Sequence, residues 1–200
     1  MGQYYRPVIL KHSWRNNKKP VAASLLCYDY GWMGAKLMEH SYVGNNLVGD
    51  MVALLGTKFK GHPFVWVGDY ADGKKVCGKN TDIYTEANHF IYNCYEGDDD
   101  SKSAAYKSLW KTKDWYRRDF KYLVNYDRKE YCRIPESNPD DYVVHPLPLL
   151  TCSGNGRGGG DYRIDDKRVG KWAYNRIGAT NDVNEFEGFK EINGFFKLDM

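Results

Sequence analysis

The stretch "NNLVGDMVALLGTKFKGHPFVWVG", Asn45 to Gly68, changes periodicity partway along. In its first half Leu47, Met51 and Leu55 recur at spacing four with Val48 and Val52 beside them, which places one apolar stripe on a helix. Asn45 or Asn46 can offer a side-chain oxygen to the first amides and Gly56 can end the helix, so the stretch predicts a capped amphipathic helix. After a short polar link, Phe64 to Val67 is an unbroken apolar run closed by Gly68, the pattern of a strand covered on both faces. A striped helix needs a sheet to cover it, and a buried strand follows at once. Together they predict helices packed on a sheet.

The segments on either side extend that sheet. "QYYRPVIL" and "PVAASLLCYDY" read as two strands around a polar loop whose Asn16-Asn17 pair tolerates turn geometry, which predicts an opening hairpin. "YLVNYDRKEYCRI" alternates around Asp127-Arg128 and predicts a second hairpin. Between them, "TDIYTEANHFIYN" predicts a second helix with Ile83, Ala87, Phe90 and Ile91 on one face and Thr81 or Asp82 as cap. "EGDDDSKS" reads as an acidic surface loop, and residues 104–121 as a short helix leading into a strand. "YVVHPLPLLTC" is expected to be an extended edge, because Pro146 and Pro148 lack donors and favour extended neighbours. "VGKWAYNRIG" and "EGFKEINGFFKLDM" add strand-like segments and turns. The expected fold is α+β, a mainly antiparallel sheet with two or three helices, in a single domain over residues 1–200.

Composition removes several function classes. The chain has 29 Lys and Arg against 26 Asp and Glu, a net charge of +3, too small a footprint for long nucleic acid. Its five cysteines, Cys27, Cys77, Cys94, Cys132 and Cys152, form no C-x-x-C pair, which speaks against a zinc ribbon or redox motif and for a reducing cytoplasm. No apolar run is long enough for a membrane span and no basic-then-apolar leader is present, so neither membrane insertion nor secretion is expected. There is no G-x-S-x-G elbow and no P-loop lysine. The 17 Tyr, 6 Trp and 8 Phe are the unusual feature, since such rings can stack on bases as well as fill a core.

Two sets of residues are candidates for chemistry. The first is the glycine run from Gly154 to Gly160. Gly154-x-Gly156-x-x-Gly159 matches the dinucleotide fingerprint by letter, but the polar stretch that follows predicts no helix to receive a pyrophosphate, so a Rossmann assignment is rejected. Successive glycine amides can still converge on an anion, with the Arg157 guanidinium as a fork of donors. The expected ligand residues are Gly156, Arg157, Gly158, Gly159, Tyr162, Arg163, Trp172 and Arg176, with Arg157 and the loop amides at phosphate and Trp172 or Tyr162 against a base. The second set is His40, Asp69 and His145, which an enzyme would use as acid, base or metal ligands, with Asp72 as a further carboxylate. Their spacing forms no metal motif, and no metal or cofactor is expected.

The segments "MGQYY", "KLMEHSYVGNN", "WVGDYAD", "HPLPLLT", "GNGRGGGDY" and "GKWA" together resemble a set of small proteins of bacteriophages and their bacterial hosts. The resemblance carries no catalytic residues with it. It implies a phage counter-defence setting in the host cytoplasm, and with the rings and arginines it points to a protein that binds and sequesters a small, cyclic nucleotide immune signal. A homo-oligomer is expected, since two chains enclose a ligand more easily than one. The alternatives are a phosphodiesterase or other hydrolase acting on such a nucleotide, and a protein-binding inhibitor of a host factor that anchors through exposed rings.

Overall fold

The computed structural model describes residues 3–17, 19–31, 35–71, 82–92, 119–138, 141–154 and 166–197. Within them, eight strands form one sheet: β1 (Tyr5–Leu10), β2 (Val21–Ser24), β3 (His62–Gly68), β4 (Tyr122–Asn125), β5 (Glu130–Arg133), β6 (Cys152–Ser153), β7 (Arg176–Thr180) and β8 (Lys190–Glu191). The spatial order is β2-β1-β3-β7-β4-β5-β8, with β6 beside β3. All pairings are antiparallel except β3 with β6 and β5 with β8. The α+β fold expected from the sequence is the fold observed. Among the described residues no helix is long and apolar enough to cross a membrane.

Among the described residues four α-helices accompany the sheet: α1 (Leu37–His40), α2 (Asn46–Gly56), α3 (Ile83–Glu86) and α4 (Pro146–Thr151). Strand β3 shows why its sequence is apolar throughout. Phe64 and Trp66 join Tyr5 and Ile9 in a core completed by the stripe of α2 and by Leu147, Leu149 and Leu150 of α4. Val65 and Val67 point the other way, into a second cluster with Val8, Leu10, Trp14, Val21, Ile83 and Ala87. Both faces are therefore covered, and each fully buried aliphatic side chain contributes on the order of 1.5–3 kcal/mol. Helix α2 is capped as its sequence predicts, Asn45 accepting from the Val48 amide at 3.3 Å.

Three segments depart from their predicted form. Residues 146–151 make a buried helix, where an extended edge was expected. The first amides of a helix have no intrahelical acceptor, so Pro146 and Pro148 forgo nothing there, and His145 supplies the cap by accepting from Leu147 N at 3.1 Å. The second helix is shorter than its pattern. It is capped by Asp82, tightens to a 3-10 turn at Ala87–His89, and then gives Phe90 O and Tyr92 N to Ser24 on the outer side of β2. A sheet edge is covered in this way at the expense of helix length. In "VGKWAYNRIG" the chain turns through Tyr174, at φ 66°, and becomes a strand only from Arg176.

Candidate functional site

The site is built where two loops meet above the core. Residues 41–45 and 143–145 run against each other: Val43 N donates to Val143 O, His145 N donates to Ser41 O at 3.0 Å, and Tyr42 bridges Val144. This pairing sets the end of α2 that carries its free amides beside the start of α4. Across from them lie residues 119–121, which lead into β4, and 133–137, which leave β5. A half-open cleft of about 660 Å³ lies between these walls.

Its lining is mixed. Val48, Val52, Phe120 and Ile134 give it an apolar wall, and Lys121 and Arg133 stand with Asp119 and Glu136 among the exposed lining residues. Arg133 is held to Glu136 at 2.8 Å, an exposed pair that costs little to exchange. The Lys121 ammonium makes no ion pair among the described residues. Gly44 and Gly49 leave the backbone bare: a Cβ at either would meet nothing within 4 Å.

Two buried ionisable groups also line the cleft. His145 is 5% exposed. Its Nδ1 accepts from the Leu147 amide, which places the ring proton on Nε2, and Nε2 has no hydrogen-bond partner among the described residues. Burial pushes its pKa down to about 3, so the ring is neutral and acts as a donor. Asp50 is 3% exposed, and its Oδ2 accepts from the Tyr30 hydroxyl at 2.6 Å. Burial pushes the Asp50 carboxyl up to about 6, against the pull of that hydrogen bond. Sequence reading passed over Asp50, Lys121 and Arg133. Asp50 carried a signal, an acid flanked by Met51 and Val52 and one turn from Leu47 and Leu54, where a burial cost is expected.

His40 and His145 come from adjacent paired segments, but they do not share a surface. His40 is fully buried, and its Nε2 accepts from Trp66 Nε1 at 2.7 Å with the rings stacked at 5.4 Å. Burial lowers its pKa to about 4, with the Lys36 carbonyl pulling weakly the other way, and Nδ1 lacks a hydrogen bond of ordinary geometry. As folded, His40 cannot touch a substrate, which corrects its expected role as acid, base or ligand. Asp69 lies elsewhere, just past the end of β3, where its Oδ1 accepts from Tyr4 N at 3.1 Å and ties β3 to the start of β1. Among the described residues no three His, Cys, Asp or Glu side chains are grouped to hold a metal ion.

Trp172 is a core residue, 0% exposed, with its indole N–H donating to Glu130 at 2.8 Å. The expectation that it stacks on a base is corrected by that burial. Although burial pushes the Glu130 carboxyl upward, Lys171 and Trp172 as donors hold it below the ordinary carboxylate range. Arg176 is exposed and its Nε is paired with Asp127 at 2.6 Å, tying β7 to the β4–β5 turn. Gly156, Arg157, Gly158, Gly159, Tyr162, Arg163 and Asp72 lie outside the described residues. The chain enters the glycine run at the same end of β3 as Asp69, because β6 pairs Trp66 with Cys152 and Val67 with Ser153. There Gly154 packs so closely on Gln3 and Tyr5 that a Cβ would lie 2.4 Å from the Tyr5 hydroxyl. Comparison of the chain with protein-family models, curated proteins and solved structures finds no match.

Proposed function

We propose that the protein is a phage counter-defence protein that binds, without cleaving, a small cyclic nucleotide signal in the cleft beside α2. The observation that carries this reading is the cleft itself. Its volume of about 660 Å³ falls within the roughly 300–1,000 Å³ of small-molecule sites, and its mixture of an apolar wall with a few polar groups is the usual composition of such sites. Val48, Val52 and Phe120 provide surface for a flat base, while Lys121 and Arg133 stand at the rim for a charged group. The counter-defence setting, in the host cytoplasm, rests on the sequence resemblance alone. Capture is preferred to hydrolysis because His40 is sealed in the core, the Asp69 carboxylate is bonded to the Tyr4 amide and His145 Nδ1 is committed to a cap. A second copy of the chain closing the mouth of the cleft completes the proposal.

The test is a melting-temperature screen of the purified protein against cyclic mono- and oligonucleotides and NAD-derived molecules, followed by heat release of any bound compound. A ligand that raises Tm and returns intact supports capture. A ligand returned as hydrolysed product, with turnover lost in a chelator, moves the reading to a hydrolase. No shift with any nucleotide defeats it and leaves inhibition of a host protein as the better reading.

A further inference from the structure

The cleft also offers a place for the ligand's charge. Helix α2 has 11 residues, enough for an effective N-terminus. Asn45 caps the Val48 amide and the Gly49 amide bonds Asn45 O, but the amides of Asn46 and Leu47 have no partner among the described residues. Next to this end stands His145, whose Nε2–H is the one unspent donor of a buried ring facing the cleft. Its tautomer is fixed by geometry, since the Leu147 amide occupies Nδ1. Backbone access is open because Gly44 and Gly49 present no side chain.

The charges around this end decide the class of anion. Three acids, Asp50, Asp119 and Glu136, line the cleft with two cations, Lys121 and Arg133. That lining opposes any anion and opposes a dianion about twice as strongly as a monoanion, so a singly charged phosphate held by neutral donors is the better match. We propose that the N-terminus of α2, with the Asn46 and Leu47 amides and His145 Nε2–H, is a seat for a singly charged phosphodiester. The proposal rests on the cleft being the ligand site and narrows the ligand to phosphodiesters, the class to which cyclic nucleotides belong. Phosphate monoesters and triphosphates are disfavoured, and a base is needed only for additional affinity.

Diethyl phosphate, a phosphodiester monoanion with no base, tests the seat separately from the nucleotide reading. Titrated into the 15N-labelled protein at pH 7, it is expected to shift the Asn46 and Leu47 amides and the His145 ring signals saturably, at millimolar concentration. Methyl phosphate, a monoester whose second pKa near 6 leaves it mostly a dianion at that pH, is expected to bind several-fold more weakly. His145→Asn keeps an acceptor for the Leu147 amide while removing the Nε2 donor, and should weaken diethyl phosphate by about tenfold with Tm retained. Gly49→Leu fills the mouth from a helical position and should abolish the shifts without unfolding the protein. The seat is refuted by the absence of localised, saturable shifts, by equal or tighter binding of the dianion, or by full affinity in folded His145→Asn. If the seat binds diethyl phosphate but no nucleotide raises Tm, the nucleotide reading fails and the seat stands. If nucleotides bind while diethyl phosphate does not, the seat alone fails.

Discussion

Acidification from pH 7 to pH 4 should destabilise the protein, chiefly through three buried groups whose pKa values are displaced by two units or more. His40 titrates at about 4 and His145 at about 3 in the folded protein, against an ordinary 6.5. A histidine with a depressed folded pKa takes up a proton more readily when unfolded, so the stability it contributes is full above pH 6.5 and is lost as pH falls toward the folded value. Each histidine then costs about 1.4 kcal/mol per pH unit. Asp50 acts in the opposite sense. Its folded pKa is raised from 3.8 to about 6, so between those values the folded state binds the extra proton and acid stabilises it. Down to pH 4 the two histidines together remove about 6 kcal/mol and Asp50 returns about 2, a net loss of about 4 kcal/mol. That is a large fraction of the ~5–15 kcal/mol typical of a domain. Urea unfolding at half-unit pH intervals, followed by tryptophan fluorescence, measures it directly, because Trp66 is hydrogen-bonded to His40. His40→Gln, which retains an acceptor for Trp66, should flatten the slope below pH 6.5 by about one proton. Stability unchanged between pH 7 and pH 5 would refute the placement of both histidines as buried neutral rings.

Other substitutions separate structural from binding roles. Gly49→Ala adds a methyl group to an exposed helical position with open space around it, and should raise stability by about 1 kcal/mol in urea unfolding. Trp172→Phe removes an indole donor from buried Glu130 and should cost about 1–3 kcal/mol, with ligand affinity unchanged by calorimetry. Arg176→Ala breaks an exposed ion pair to Asp127 and should change stability by less than about 1 kcal/mol and leave ligand affinity as it was.

Much of the fold was legible because its strongest elements announce themselves locally. Helix α2 has a stripe, a cap and a stop within 12 residues from Asn45 to Gly56, and β3 is apolar throughout because both its faces are covered. The segment around Pro146 was not legible, since prolines read equally well as an extended edge or as the first turn of a helix. What decided between them was His145 as a cap and a core waiting for Leu147, Leu149 and Leu150, both tertiary facts. The candidate site was less legible still. His40 and His145 look alike in sequence, yet one is bonded to a core indole and the other keeps a donor facing a cleft. Trp172 gave no sign that Glu130, distant in sequence, would claim its indole N–H. Lys121, Arg133 and Asp50 are gathered only by the tertiary packing that sets α2 on β7, the neighbour of β4 in the sheet.

Isothermal titration of a cyclic nucleotide panel into the wild-type protein and Gly49→Leu, with mass analysis of whatever is recovered, confronts the central claim most directly. Saturable binding of an intact cyclic nucleotide by the wild type, lost when a side chain fills the mouth beside α2, is the expected result. Undiminished affinity in folded Gly49→Leu would put the ligand somewhere other than this cleft and contradict the account.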